Sequence, residues 1–464
     1  MRDEAPTHPH RPLARAARAF VCARAARALV CTRAARVFAS TPASTPAWAW
    51  RLLRPLAACT LAALSLPVAA QQVLTVAAFP AVDAIVRAAL PAWNKLHPGV
   101  GIQVVSRQFN DHHTAMTTAL STRSHLPDVM ALEVGYVGRF AQGGGLEDLA
   151  LAPYDIGRFA AQFVPYALRQ GSRRSGAIVA APTDIGPGTL LVRSDILAQA
   201  GVAEAALTQS WESYVAAGVT IKRRTGAYLL AHARDIKDIV IRTGIQPGEG
   251  LYFDQDSRVL VHTPRFKRAF ELARQVRANQ LDAKVQAWSN DWGAGFKRGS
   301  VATQFSGAWL AGHLNNWLAP STSGQWRALP LPQGAYAAYG GTFLAIPRGA
   351  NAANKALAWE LIQLLTLNRD MQLAAFKAHD AFPALLSTYD DAFFAQPIAF
   401  LGGQAARVQW LDAARHIQAV AVHKQDAFAA EVIDTELDKV LDHGKDIATA
   451  LADAARLLQK RAHR

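Results

Sequence analysis

From Val73 onward, short apolar runs alternate with stretches whose apolar residues recur at helical spacing, and this rhythm constrains the fold more than any other feature of the chain. VLTVAAF (Val73 to Phe79) reads as a strand, residues 82–96 as a helix and GIQVVSRQF (Gly101 to Phe109) as a second strand. Such alternation predicts α/β sheets covered by helices. Pro91 is expected to kink the first helix, and His97-Pro98-Gly99 to end it by removing a donor and permitting a positive φ. Further on, LYFDQDSRVLVHTP (Leu251 to Pro264) reads as a hairpin with a polar turn at Asp254 to Ser257, followed by a helix capped by Thr263 with Pro264 at its first position. Asp254 and Asp256 lack the glycine and terminal glutamate that a calcium loop requires, so a solvated turn is expected there. Residues 426–458 read as amphipathic helix covering one unit of the fold.

The first 70 residues follow different rules. Ten arginines stand there against Asp3 and Glu4, so the leader holds a disproportionate share of the formal charge of +14. RAARAFVCA, RAARALVCT and RAARVFAST form a low-complexity repeat from Arg15, Arg24 and Arg33; an Arg-rich organelle presequence is the competing reading, and the natural leader is expected to begin nearer Ala47. RLLRPLAACTLAALSLPVAA (Arg51 to Ala70) has the basic start, short apolar run and small-residue ending of an export signal, with cleavage expected after Ala70. Leu56-Ala57-Ala58-Cys59 resembles a lipobox, which would instead make Cys59 a lipid anchor. Cys22, Cys31 and Cys59 all precede Gln71, so a chain cut after Ala70 carries no thiol, as suits export.

The body of the chain is poor in catalytic signals. It has no phosphate-binding loop, no HExxH and no GxSxG, and no cofactor or metal is expected. His112 and His113 are adjacent and so are expected to diverge as a loop pair rather than share a metal. The basic clusters Arg173-Arg174 and Lys222-Arg223-Arg224 lack interleaved aromatics, which argues against nucleic acid as a partner. The expectation is a protein that is not an enzyme.

Several segments, in order, resemble the extracellular solute-binding proteins of ABC importers, in particular the family of maltose- and multiple-sugar-binding proteins. They are VLTVAAFP, KLHPGVGIQVV, TALSTRSHLPDVMALEVGYVGRFAQGGGLEDL, APTDIGPGTLLVRSDIL, FKRGSVATQFSGAWLAGHL, WRALPLPQG and GGTFLAIPRGANAANKALAWELIQLLT. The resemblance implies a bilobal periplasmic-binding-protein fold with two interleaved α/β lobes joined by a hinge. Lobe I is expected over residues 72–182 plus 331–382 and lobe II over 183–330 plus 383–464, each with a mostly parallel sheet. The glycine- and proline-rich stretch Pro182 to Leu191 looks like the first crossing between them. The implied role is capture of a mono- or disaccharide, or a polyol, by a monomer that delivers it to a membrane permease. The same scaffold binds glycerophosphodiesters and polyamines, and a secreted carbohydrate-active hydrolase or a chemosensory adaptor are rival readings.

Sugar recognition needs flat aromatics over the C–H face of a ring and planar polar groups that satisfy several hydroxyls at once. Trp309 in SGAWLAG matches the family position where a tryptophan packs on sugar; a core tryptophan under a helix start is its competing role. Asp184 in PTDIGP is the leading carboxylate, with a cap of the hinge turn as its alternative. Glu133 and Tyr136 are expected at a strand's C-terminal end, where α/β sheets bind ligands. Trp288 and Trp292 flank Asp291, and two tryptophans four apart on a helix form one packed face, so only one need touch ligand. Gly340, Gly341 and Thr342 lie where the family brings backbone close to the pocket. Asp111, with Asn110, is a further candidate, and Arg107 a surface cation. Leu132, and VAAF without a tryptophan, depart from the maltose binders and argue against a long malto-oligosaccharide.

Overall fold

The computed structural model describes residues 72–173 and 175–463. The expected cleavage after Ala70, the lipobox at Cys59 and the arginine repeats lie outside the described residues. Strand β1 (Gln72–Ala78) is followed by helix α1 (Val82–Leu96) and strand β2 (Val100–Ser106), and β1 and β2 pair in parallel from Gln72 opposite Val100 to Ala78 opposite Ser106. The apolar stripe of α1 buries Ile85, Val86, Ala89 and Trp93, and the Trp93 indole N–H donates to the Val100 carbonyl (2.9 Å), fixing the helix to the strand it feeds. Pro91 sits inside this single 15-residue helix, which continues to Leu96, and His97 forms its C-cap.

Helix α2 (Phe109–Thr122) returns over the sheet to β3 (Val129–Glu133), which lies parallel to β1 and leads directly into α3 (Val134–Gln142). Asp128, at the entry to β3, accepts the Thr75 N–H at 2.7 Å and so pins β3 beside β1. The glycine- and proline-rich Ala181–Arg193 is one long strand, β4, with register shifts at Pro182/Asp184 and Ile185/Pro187. Helix α4 (Ala233–Val240) and helix α5 (Pro264–Ala278) follow, then α6 (Asn290–Arg298), β5 (Thr303–Gly307), β6 (Trp326–Leu329), β7 (Ala338–Ala345) and, near the end, α7 (Asp426–His443).

Strand β4 organises the molecule. Its first half pairs with β7, which also pairs with β3, while its second half pairs with β5 and β6. The order β2-β1-β3-β7-β4-β5, with β6 also on β4, therefore runs from one α/β lobe into the other along a shared strand. The expectation of mostly parallel sheets holds only for β2-β1-β3; every pairing of β4 and β7 is antiparallel. The reason is connectivity: strands that cross between lobes return through the same gap, and neighbours running out and back are antiparallel. One apolar cluster gathers Leu74, Val76, Trp93, Leu344 and Trp359, and a second gathers Leu190, Tyr214, Phe266, Phe305 and Leu437.

Three local expectations need correction. The 254–257 turn forms, with Asp254 Oδ1 accepting the N–H groups of Asp256 (2.8 Å) and Arg258 (2.9 Å) and with backbone bonds from Asp254 N–H to the Arg258 carbonyl (3.0 Å) and from Leu260 N–H to the Tyr252 carbonyl (2.9 Å) across it, but its flanks meet in the isolated bridge Phe253 to Val259 rather than in hairpin strands. The carboxylate takes the Arg258 N–H, which a longer ladder would have used. Thr263 precedes the helix and Pro264 is at its start, yet the Thr263 hydroxyl makes no cap bond. The C-terminal helix is two, broken at Gly444 (φ +66°). Among the described residues, no helix is long and apolar enough to cross a membrane.

Candidate functional site

A cleft of about 1080 Å³ opens along the seam where β3, β4 and β7 meet the second lobe. Of the sequence-derived candidates, Asp111, Glu133, Asp184, Trp288, Trp309, Gly340, Gly341 and Thr342 line it. Tyr136 and Trp292 are not part of that lining. Tyr136 stacks on His113 (centroids 3.9 Å apart, planes at 16°), and Trp292 is buried with its indole N–H donating to Gln304 Oε1 at 3.2 Å. Trp288 precedes α6 rather than sharing it, with φ +67° and 57% exposure, yet its ring still packs on Trp292 at 5.1 Å, and of the two only Trp288 lines the cleft. Asp184 lies within β4 opposite Thr342 and caps no turn.

The aromatic wall is built around Trp309. Its ring is offset-parallel to Trp288 (5.8 Å, 16°) and its N–H donates to the Tyr339 carbonyl at 2.8 Å. Gly340 (φ +88°) permits this approach: a Cβ placed there would lie 2.8 Å from Trp309 Nε1. The wall continues through His313, edge-on to Trp309 at 5.4 Å, to the exposed Trp317, whose N–H donates to His313 Nδ1 at 2.9 Å. Burial pushes His313 down to about 4, so the imidazole is neutral and its Nε2 carries the proton.

Opposite charge chemistry gathers at the sheet ends. Glu133, the last residue of β3, caps α3 by accepting the Gly135 N–H at 2.7 Å. Burial pushes its carboxyl up to about 7, with the Gly135 bond and Arg242 pulling the other way and Asp184 adding to the rise. Burial likewise pushes Asp184 up to about 6 against hydrogen bonds from Thr342. Arg242 faces Glu133 from the second lobe, but its Nη1 donates to the Asp238 carbonyl (2.6 Å) and the guanidinium lies over the Tyr339 ring at 4.7 Å.

His112 and His113 correct the expectation of a loop pair: both are buried on α2. His112 Nε2 bonds the Ala131 carbonyl at 2.7 Å. His113 accepts the Glu133 N–H at Nε2 (3.1 Å) and bonds the Phe109 carbonyl at Nδ1 (2.8 Å). Burial pushes His113 down to about 4, and the pair serves to hold the end of β3 in place. Among the described residues, no group of three or more His, Cys, Asp or Glu is placed to hold a metal.

The sequence reading missed Trp317, Arg242, Tyr336 and Asp426, all of which line the cleft. Trp309, His313 and Trp317 are spaced by four, a signal legible in SGAWLAGHLNNW. Arg242 and Asp426 had no local signal, since only the tertiary fold brings them to the cleft.

The model for the family described as bacterial extracellular solute-binding protein matches residues 88–401. A crystal structure titled extracellular solute-binding protein family 1 is 22% identical, covers 84% of this chain and 100% of its own, and superposes with a TM-score of 0.72. An ABC transporter associated binding protein from B. animalis subsp. lactis Bl-04, in complex with beta-1,6-galactobiose, is 21% identical over 84% of this chain and 97% of its own, at 0.71. An ABC transporter solute-binding protein from Thermotoga lettingae TMO, bound with alpha-D-tagatose, is 18% identical over 84% and 100%, at 0.69. At these identities the likeness establishes the fold. No curated protein matches the chain.

Proposed function

The chain belongs to the bacterial extracellular solute-binding protein family, and from that premise we propose that it is the exported, periplasmic receptor of an ABC importer, capturing a mono- or disaccharide or a polyol between its lobes. The single observation that carries the ligand class is the offset-parallel Trp288–Trp309 stack lining the same cleft as Glu133 and Asp184. A tryptophan face suits the C–H side of a sugar ring, and carboxylates accept from two hydroxyls at once. The sugar complexes of the B. animalis and T. lettingae proteins support this reading.

Capture is noncovalent. The ligand bridges groups from both lobes, and the closed population rises by its differential affinity for that state. A monomer with lobes over 72–182 plus 331–382 and 183–330 plus 383–464 would then present its closed form to the permease. Glu133 and Asp184, with carboxyls pushed to about 7 and 6, also invite a test for hydrolysis.

Thermal denaturation against a panel of sugars and polyols tests the proposal, since a ligand at 100 times its Kd stabilises by about 2.7 kcal/mol. The expected result is a shift with one sugar or polyol, lost in Trp309→Ala. Sustained turnover of aryl glycosides abolished by Asp184→Asn would replace the receptor with a hydrolase.

A further inference from the structure

The ionisable groups lining the cleft are unbalanced. Asp111, Glu133, Asp184 and Asp426 line it, whereas Arg242 is the one arginine among the described lining residues and no lysine accompanies it. Arg242 is already engaged, donating to the Asp238 carbonyl and lying 3.7 Å from the Asp238 carboxylate. Three imidazoles also line it: His313 has its Nδ1 taken by Trp317, His416 Nδ1 bonds the Asp412 carbonyl at 2.9 Å, and His379 stands at the end of the helix over residues 369–379.

Asp426 is the decisive group. Its Oδ2 accepts the His423 N–H at 2.7 Å, while Oδ1 is buried without a hydrogen-bond partner. An orphaned carboxylate oxygen in a ligand cleft calls for a donor, and four acidic side chains whose one lining guanidinium is already engaged favour a cation. A hydroxyl supplies only the donor. A protonated amine supplies both, with three N–H groups and a full positive charge. The aromatic wall is a second and independent sign, because the exposed face of Trp288 and the ring of Trp317 attract a cation as readily as they cover a sugar ring.

We infer that the ligand of this cleft carries a protonated amine, held by Asp426 and by the Glu133–Asp184 pair and flanked by the tryptophan wall. The inference rests on the cleft of the proposed receptor and refines its ligand from a neutral sugar to an aminated one. Burial has pushed Glu133 to about 7 and Asp426 to about 7, so an arriving cation would drive these carboxyls to ionise and release protons on binding.

Calorimetric titration of the full protein at pH 7 with matched pairs reads this directly: glucosamine against glucose and N-acetylglucosamine, galactosamine against galactose, together with putrescine and spermidine. The expected result is that an amine binds about tenfold or more tighter than its neutral counterparts, with proton release seen by comparing buffers of different ionisation enthalpy. In Asp426→Asn, which keeps a carbonyl for the His423 N–H, and separately in Glu133→Gln, that ratio collapses towards one. Neutral sugars binding as tightly as or tighter than their amines would overturn the inference and leave the sugar receptor standing. Putrescine or spermidine binding while every sugar stays silent would uphold the amine and remove the sugar. An amine advantage unchanged in both variants would overturn the assignment to these carboxylates.

Discussion

Replacing Gly340 with alanine tests how firmly the backbone of β7 fixes the tryptophan wall. Gly340 has φ +88°, where an L-residue costs about 1–3 kcal/mol. The new methyl would stand 2.8 Å from Trp309 Nε1, so the indole must swing away from the Tyr339 carbonyl and forfeit a hydrogen bond worth about 1 kcal/mol net. Together these give a destabilisation of about 2–4 kcal/mol. Gly334 provides the control: it lines the same cleft at φ +63°, but a Cβ there meets nothing within 4 Å, so alanine costs only the backbone term of about 1–2 kcal/mol. Denaturant unfolding of both variants gives the stability difference, and titration with the ligand gives affinity. Gly340→Ala should lose at least about tenfold in affinity, equivalent to 1.4 kcal/mol, and Gly334→Ala far less. Equal losses in the two variants, in both stability and affinity, would refute the idea that Gly340 exists to seat Trp309.

Further outcomes follow from the same geometry. Trp288→Ala, at a 57% exposed position, should leave unfolding within about 1 kcal/mol of the parent while weakening ligand binding by about 1 kcal/mol or more; unaltered binding would remove Trp288 from the site. Glu133 has a native pKa of about 7 against an ordinary 4.5, so the folded chain retains a proton that the unfolded chain has released across that interval. Its contribution therefore disfavours folding increasingly as pH rises from about 4.5 to 7, by about 3 kcal/mol at most, and Glu133→Gln should flatten that part of the stability curve; an unchanged slope would contradict the assignment. Lys237 is buried on α4 between Asp238 (2.5 Å) and Asp434 (2.6 Å), so Lys237→Met leaves two carboxylates without their shared cation and should cost about 3–5 kcal/mol in unfolding free energy. A loss below about 1 kcal/mol would mean that the pair ionises into solvent.

What could be read in the sequence was whatever local chemistry decides. Short apolar runs separated by a stretch of helical periodicity announced β1, α1 and β2, because neighbouring residues alone set those periods. Strand direction was not legible, since β4 finds β5, β6 and β7 only in three dimensions. The histidine pair misled for a related reason: adjacent residues on α2 point about 100° apart, which still allows both to be buried when sheet lies beneath and α3 alongside. Trp288 was misplaced because its positive φ, just before the Ser289 cap of α6, breaks the helical spacing that the sequence suggested. Asp426 and Arg242 carry charge into the cleft from far along the chain, and nothing in their neighbours marks them as cleft residues.

Small-angle X-ray scattering of the protein with and without the sugar, polyol or amino sugar found in the titrations, with the ligand recovered and analysed afterwards, tests capture between lobes most directly. The account predicts a smaller radius of gyration at saturation, no such change for Trp309→Ala at the same ligand concentration, and ligand recovered chemically intact. Saturating binding with no compaction, or ligand returned as cleaved product, would contradict it.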